Sequence, residues 1–327
     1  MRRLFLALLL LAVPGAALAA RSAAQCRDEF PGDDAQHRQE RLKCYDEAAL
    51  ATSTSLLTAS PASGARLWDS WRLSERDIPL GAPQLYHPIY FIARYSDSLN
   101  YAPASPAHPL SPPLNLRRTE AKFQLSFKSE IVSPDTFQRA LNSDRFRLWL
   151  GYTQQSNWQV LDVNDSRPFR NSNYTPEFIV TTRLSNNDSP SLTPKLLNIG
   201  LWEHQSNGQS DPLSRGWNRS YLQGGWQLAD NTSLLVRVWQ RLSENPRSDD
   251  NPDIVSYMGR WDLLLRRDLG RTRASLLLRG RFVQFDWGVP VGSSQFHAQI
   301  TSGYGETLLD YNHRQTTVGI GYSFGAW

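Results

Sequence analysis

The chain has 327 residues, of which 40% are hydrophobic and 20% charged, with a mean hydropathy of −0.48. That is too polar for a helical membrane protein and too apolar for a disordered chain. Thirty-five Lys and Arg against 31 Asp and Glu give a formal charge of +4, with no basic run of five residues, which argues against a nucleic-acid reader.

The opening residues read as a targeting segment. Arg2 and Arg3 form a positive start, Leu4 to Val13 an apolar core, and Ala17-Leu18-Ala19 a small-x-small cleavage site after the Pro14-Gly15 break. An apolar core of ten residues is too short to span a bilayer, so residues 1–19 are expected to be removed rather than kept as an anchor. No Cys follows the small residues, which argues against a lipoprotein. The exported chain would begin at Ala20, keep 308 residues and carry a formal charge of +2.

Residues 20–80 read as a small periplasmic extension. Cys26 and Cys44, the only cysteines, are expected to form one disulfide in an oxidising compartment. Closing a loop of this length contributes about 3 kcal/mol in the chain-entropy view. His37 lies between them, but two thiols and one imidazole do not complete a tetrahedral metal site. Asp34 to Thr52, rich in Ala, Glu, Arg and Gln, predicts a short helix, and the Ser/Thr/Ala-rich stretch from Ala51 to Gly64 predicts a linker.

Residues 81–327 form the second expected domain, and from about Tyr86 its texture is β. Apolar and polar residues alternate in segments separated by Asn/Asp/Pro/Ser/Gly clusters. Phe123, Leu125 and Phe127 oppose Lys122, Gln124, Ser126 and Lys128. Leu148 and Leu150 oppose Arg147 and Trp149, Leu234 and Val236 oppose Arg237, and Val318, Ile320 and Tyr322 oppose Thr317, Gly319 and Gly321. The expected strands are 86–97, 120–129, 145–153, 174–183, 195–206, 217–229, 232–241, 254–268, 271–285, 294–304 and 316–324. An even count is expected of a barrel, so one strand is missing from this set and the total is twelve. Length separates a soluble sandwich from a membrane barrel. A tilted strand needs about 9–11 residues to cross a bilayer, whereas soluble strands average about 5–6. The fold expected is therefore all-β: a twelve-stranded antiparallel transmembrane β-barrel of the bacterial outer membrane. The 11 Trp residues would sit at the bilayer rims. Trp327 resembles the terminal aromatic of such barrels, although its parity is that of Ser323 and not of Phe324.

One stretch, Trp202 to Tyr221, carries chemistry. His204 and Ser206 are two residues apart and share a face of a strand. Asn207 to Gly216 is turn-rich, and a hairpin centred on Asp211 places Asn218 beside His204. The parts are those of a hydrolase triad: a Ser nucleophile, a His base and an Asn that orients the imidazole without the charge a carboxylate would bring next to lipid. A His-x-Ser pair by itself is weak, and a polar strand end at the bilayer rim is its bland reading.

The whole stretch is more specific and resembles the signature of outer-membrane phospholipase A, a family of calcium-dependent acyl hydrolases with twelve-stranded barrels. Ser166-Arg167-Pro168-Phe169-Arg170 with Asn173-Tyr174, Asp249-Asp250-Asn251-Pro252-Asp253-Ile254 with Tyr257-Met258-Gly259, and Ser302-Gly303-Tyr304-Gly305-Glu306 with Asp310-Tyr311-Asn312 are similar to further family segments, in the family's order. The resemblance covers roughly residues 84–327. It implies Ser206 as nucleophile, His204 as general base, Asn218 as its orienter and the Gly208 N–H as an oxyanion donor. It also implies Ca2+ held by Ser214, by the backbone carbonyl of Gln209 where the family usually has Arg, and by Ser166 of a second copy in an active homodimer. Asp250 would belong to a second calcium site with Asp211 beside it, and Gln154 to the dimer contact. The substrate would be membrane phospholipid.

The two strands of this hairpin disagree about facing. Alternation puts Leu197, Ile199 and Leu201 toward lipid and so His204 and Ser206 inward. On the neighbouring strand Arg219 is the residue that must avoid lipid, which turns Asn218 outward. A bulge near Trp202 would reconcile them. A non-enzymatic porin-like barrel and a lipid A deacylase-type barrel hydrolase are the competing functions.

Overall fold

A computed structural model of the protein describes residues 23–325, apart from Asp33, 59–66, 68–70, 72–79, Ser133, Asp144, 163–168, Asn186 and Asp188. The expected leader, the later part of the expected linker, Ser166 and Trp327 lie outside the described residues.

The chain divides into two compact units at Thr58. In the first, α1 (Ala23–Glu29) and α2 (Ala35–Thr58) are joined by a Cys26–Cys44 disulfide with Cα atoms 5.8 Å apart. Asp34 caps α2 by accepting the backbone N–H groups of Gln36 and His37, each at 3.0 Å. The His37 N–H and imidazole hold the Asp34 carboxyl below its usual range. The helix runs past Thr52 into the stretch predicted as linker. Ala, Leu, Ser and Thr all continue a helix, and the next strong breaker in the sequence is Pro61.

The second unit is an antiparallel sheet that closes on itself. Its strands are β1 (Pro83–Leu85), β2 (Ile89–Ser96), β3 (Thr119–Val132), β4 (Phe146–Trp158), β5 (Phe169–Arg183), β6 (Leu196–Ser206), β7 (Gly216–Ala229), β8 (Thr232–Arg241), β9 (Trp261–Leu269), β10 (Thr272–Arg279), β11 (Phe282–Val291), β12 (Ser294–Tyr304) and β13 (Arg314–Phe324). β1 and β2 lie end to end along β3, so they are two halves of one stave and the barrel has twelve. Pro88 lacks the N–H a continuous ladder needs. Side chains bridge the break: the His87 N–H donates to Ser126 Oγ (3.2 Å), and Gln124 Nε2 donates to the Pro88 carbonyl (2.8 Å).

Two expected strands differ from the structure. The stretch 271–285 is β10 and the start of β11, separated by the two-residue turn Gly280-Arg281, and this is the missing twelfth stave. The stretch 254–268 begins with a helical turn, α4 (Ile254–Met258), before β9. Ile254 and Met258 stand four residues apart, one turn of helix, and pack with Trp217, Tyr221, Trp239, Leu308 and Tyr311. A further helix, α3 (Pro134–Leu141), lies between β3 and β4.

The two ends of the barrel differ. One carries two-residue turns at Asp230-Asn231, Gly270-Arg271 and Gly292-Ser293 with the connections 133–145 and 184–195; the other carries the loops 97–118, 207–215, 242–260 and 305–313 and the turn Gly280-Arg281. Short turns mark the periplasmic end of such barrels and long loops the outer end.

The alternation read from the sequence is the wall of the barrel. Phe91, Leu125, Phe285, Ile300, Val318 and Ile320 are exposed on the outer face. Lys122, Lys128, Arg147, Glu177, Asp262 and Gln299 are buried in the lumen. Tryptophan departs from the expectation. Trp71, Trp149, Trp217 and Trp239 are buried inside rather than placed at the rims. There they face cations: Lys128 Nζ lies 3.5 Å from the Trp71 ring centre and 4.9 Å from that of Trp149, and the Arg219 guanidinium lies 4.0 Å from that of Trp217.

Candidate active site

The facing conflict is resolved within β6. Gly200 pairs with Tyr221 and Glu203 with Arg219, so β6 has one residue more than β7 over this interval. On the other side Phe178 pairs with Trp202 and Ile179 with Gly200, which places the extra residue at Leu201. The bulge reverses the parity of everything after it. Before it, Leu196 and Asn198 are buried in the lumen; after it, Glu203 is the buried residue and ion-pairs with Arg219. His204 and Ser206 therefore face outward. Gly200 is required at the bulge, because the Tyr221 ring crosses it and a Cβ would meet Cε1 at 2.1 Å.

His204 pairs directly with Asn218, the register expected from the sequence, and its Nδ1 lies 3.0 Å from Asn218 Oδ1. An amide oxygen only accepts, so Nδ1 carries the proton and Nε2 is left with its lone pair. Trp202 donates its Nε1–H to the same oxygen at 3.1 Å, and its ring stacks on the imidazole with centroids 5.7 Å apart and planes 8° from parallel. Asn218 Nδ2 donates to Glu244 Oε1 at 3.1 Å. Among the described residues no hydrogen bond joins His204 to Ser206 in this resting geometry. The Ser206 hydroxyl instead accepts the Gly208 backbone N–H at 3.1 Å. Gly208 has φ +62°, and a Cβ there would press on the Tyr174 ring at 3.0 Å, so both conformation and space call for glycine.

The loop after β6 is built on Asn207. Its Oδ1 accepts the N–H groups of Gln209 (3.3 Å) and Arg215 (2.9 Å), and its Nδ2 donates to the Leu213 carbonyl (2.7 Å). The Gln209 side chain turns back and donates to the Arg170 carbonyl at 2.9 Å. Arg215 is buried and donates to the Pro212 and Ser214 carbonyls; burial lowers its guanidinium below the usual value. Ser214 Oγ donates to Asp250 Oδ2 at 2.5 Å. The other Asp250 oxygen lies 3.1 Å from His108 Nε2, which is 3.5 Å from Asp211. Ser214, Asp211 and Asp250 are thus brought together with His108 at the long-loop end, Gln209 lies in the same loop but is bonded to Asn207 and Arg170, and Ser166 is outside the described residues. The donors present are hydroxyl, carbonyl and carboxylate oxygens with one imidazole, a set dominated by the hard ligands that suit Ca2+.

Gln154 lies on the outer face of β4. Across the strands it pairs with Leu125 on one side and Tyr174 on the other, and Tyr174 pairs in turn with Ser206. Trp202, Glu244, His108, Asn207 and Arg215 are the parts of the site that sequence reasoning missed. The parity conflict that calls for a bulge near Trp202 was the available signal for the first; the others come from loops whose course no periodicity gives.

Comparison with known proteins places the whole barrel in a family. The phospholipase A1 family matches residues 76–324. A putative phospholipase A1 from Neisseria meningitidis serogroup B is 36% identical over 73% of this chain and 64% of its own length. Phospholipase A1 from Escherichia coli K12 is 35% identical over 63% of this chain and 70% of its own. Among solved structures, outer membrane phospholipase A from E. coli superposes with a TM-score of 0.64 at 28% identity, covering 80% of this chain and 98% of that one. The calcium-bound dimer of the Salmonella typhi outer membrane phospholipase gives 0.67 at 28% identity, covering 81% and 98%. With a family match over most of its length and the same twelve-stave barrel, the chain belongs to the phospholipase A1 family of bacterial outer-membrane ester hydrolases.

Proposed function

We propose that this chain hydrolyses the acyl esters of membrane phospholipids as a calcium-dependent phospholipase A1/A2 and lysophospholipase, active as a homodimer. One observation carries the reading: the imidazole, the amide that holds it and the serine hydroxyl lie on the lipid-facing side of two paired strands. An ester in the bilayer reaches Ser206 without entering the lumen. Asn218 keeps the proton on His204 Nδ1, so Nε2 takes the Ser206 proton as Oγ attacks the ester carbonyl. His204 then gives that proton to the departing glycerol oxygen, and repeats the cycle with water to release the fatty acid. The Gly208 N–H, which donates to Ser206 Oγ, is the backbone group that would stabilise the oxyanion.

Ser214 and the Gln209 carbonyl, with Ser166 of a second copy, are the residues that would hold calcium, and Asp250 with Asp211 would hold a second ion. Bound calcium supplies positive charge to the loop that carries Gly208. The row Gln154–Tyr174–Ser206 supports the dimer, because a second barrel docked at Gln154 meets the same outer face as the nucleophile.

The test is hydrolysis of a micellar phospholipid by the detergent-solubilised protein. Ser206→Ala is expected to lower turnover by about 10³-fold or more, and EDTA to abolish it. A wild-type rate in Ser206→Ala would overturn the assignment, and EDTA-resistant turnover would remove the metal. The porin reading is opposed by a lumen filled with Arg94, Glu120, Lys122, Arg170, Glu306 and Asp310 side chains, so conductance in a planar bilayer should be small. Free fatty acid from phospholipid, resolved by thin-layer analysis, separates this reading from a lipid A deacylase.

A further inference from the structure

We infer that Glu244, in the loop between β8 and β9, is a positioning residue for the triad: its carboxylate locks the Asn218 amide in the one orientation that makes His204 a base. The inference rests on the hydrolase reading above and extends it to a residue 26 positions along the chain from Asn218.

An asparagine amide has an accepting end and a donating end, and the environment decides which is which. Here three partners vote the same way. Trp202 Nε1 only donates, so the end it meets at 3.1 Å must be Oδ1. A carboxylate only accepts, so the end that meets Glu244 at 3.1 Å must be Nδ2. His204 Nδ1 then faces Oδ1 and must be protonated.

Reversing the amide would set Nδ2 against the indole N–H and Oδ1 against the carboxylate. His204 would also have to move its proton to Nε2, where it could no longer accept from Ser206. Removing Glu244 leaves Trp202 as the one group opposing that flip.

Glu244 is itself held. Its Oε2 lies 3.7 Å from Arg241 Nη2, which is bonded to Asp249 Oδ1 at 2.7 Å, and Arg241 Nη1 donates to the Pro252 carbonyl at 3.1 Å. The loop is also tied to the triad strand, because the Leu242 N–H donates to the Asn218 carbonyl at 2.8 Å. The Glu244 side chain is 19% exposed, and one of its oxygens serves the amide.

The test is steady-state kinetics of the full chain on a micellar phospholipid with calcium, for Glu244→Ala, Glu244→Gln, Asn218→Ala, Ser206→Ala and the Glu244→Ala/Asn218→Ala pair. Circular dichroism and heat-modified gel mobility identify the variants that fold. Loss of one hydrogen bond predicts a kcat about fivefold lower in Glu244→Ala with KM unchanged. Glu244→Gln, whose amide oxygen still accepts, should stay within about twofold of wild type. With Asn218 already removed, Glu244→Ala should add nothing, since a positioning residue has no other route to the imidazole. Wild-type kcat in folded Glu244→Ala, or an equal loss in both backgrounds, overturns the inference. An active Ser206→Ala would overturn the hydrolase reading itself; an inactive Ser206→Ala beside an unaffected Glu244→Ala overturns the positioning role alone.

Discussion

Two polar clusters sit at the same end of this barrel, on opposite sides of its wall. In the lumen, Arg94, Glu120, Lys122, Arg170, Glu306 and Asp310 are all ionisable and almost wholly buried. Arg170 lies 2.6 Å from both Glu120 and Asp310, and Glu306 lies 3.2 Å from Arg94 and 3.1 Å from Lys122. On the outer wall, Ser206, His204 and Asn218 include no carboxylate and are half-buried, and the Glu244 carboxylate stands behind the amide in a loop. The difference follows from what each side can offer a charge. Inside, each carboxylate of this cluster finds a cation within hydrogen-bond reach, so burial is compensated. Outside, the strand neighbour of Ser206 is Tyr174 and the wall beyond meets lipid, where an ion is costly. The proposed triad, built with asparagine, would keep its function on the wall and its charge off it.

Breaking the lumenal side should have the largest effect. Arg170→Ala leaves the Asp310 carboxylate without its cation and Glu120 with only Arg94, 3.6 Å away, and truncating one member of a buried pair costs about 3–5 kcal/mol. Denaturant unfolding of the detergent-solubilised barrel should show a loss of that order. A change below about 1 kcal/mol would mean that water or rearrangement replaces the guanidinium and that the lumenal charges do not depend on one another.

Acid should dissolve the same cluster by a predictable route. Burial alone would raise the Glu306 carboxyl, in the loop beyond β12, but the Arg94 and Lys122 cations outweigh it and hold it down at about 2, below its ordinary 4.5. A carboxyl depressed in the folded state contributes stability that is fully present above its unfolded value and lost as pH falls through its folded one. The increment, on the order of 2–3 kcal/mol, should therefore be intact at pH 6 and disappear between about pH 4.5 and pH 2. Glu306→Gln should be less stable than wild type at pH 6, and the gap should close over that window. A constant gap from pH 6 to pH 2 would show that Glu306 acts by shape and not by charge.

Much of this contrast was legible in the sequence, because a barrel wall is a period-two object. Lys122, Arg147 and Arg237 announced the lumen, and Leu125, Val318 and Ile320 the lipid face. The triad was legible for the same reason: a hairpin centred on Asp211 fixes Asn218 opposite His204. Even the bulge was readable, as a conflict in parity between two strands. What escaped was whatever periodicity does not encode. The Gly280-Arg281 turn is only two residues long and joined two strands into one apparent segment. Ile254 and Met258 followed helical spacing over a single turn, too briefly to register. The tryptophans looked like rim residues because composition cannot tell the lumen from the interface, and only the positions of Lys128 and Arg219 show why they went inside. Glu244 belongs to a loop whose path is set by Arg241, Asp249 and the Leu242 N–H, contacts that exist only once the barrel has closed.

The outer wall offers the smallest and most discriminating test. Gln154 is a polar side chain among Leu125, Tyr152 and Tyr174, and it is satisfied within its own strand: it accepts from the Tyr152 hydroxyl and donates to Ser156 Oγ, both at 3.1 Å. Satisfied in this way, it does not need a partner barrel, which is the plain structural reading. Yet it stands in the row that leads through Tyr174 to Ser206, where a polar group shared between two barrels would sit beside the site it completes. Polar contacts between membrane segments average about 0.6 kcal/mol, close to a threefold change in association. Gln154→Leu should therefore weaken calcium-dependent dimerisation about threefold in sedimentation equilibrium while leaving the monomer's unfolding unchanged. Unchanged association with lower monomer stability would assign Gln154 to its own strand, and the dimer would then have to be held by the apolar wall and the metal alone.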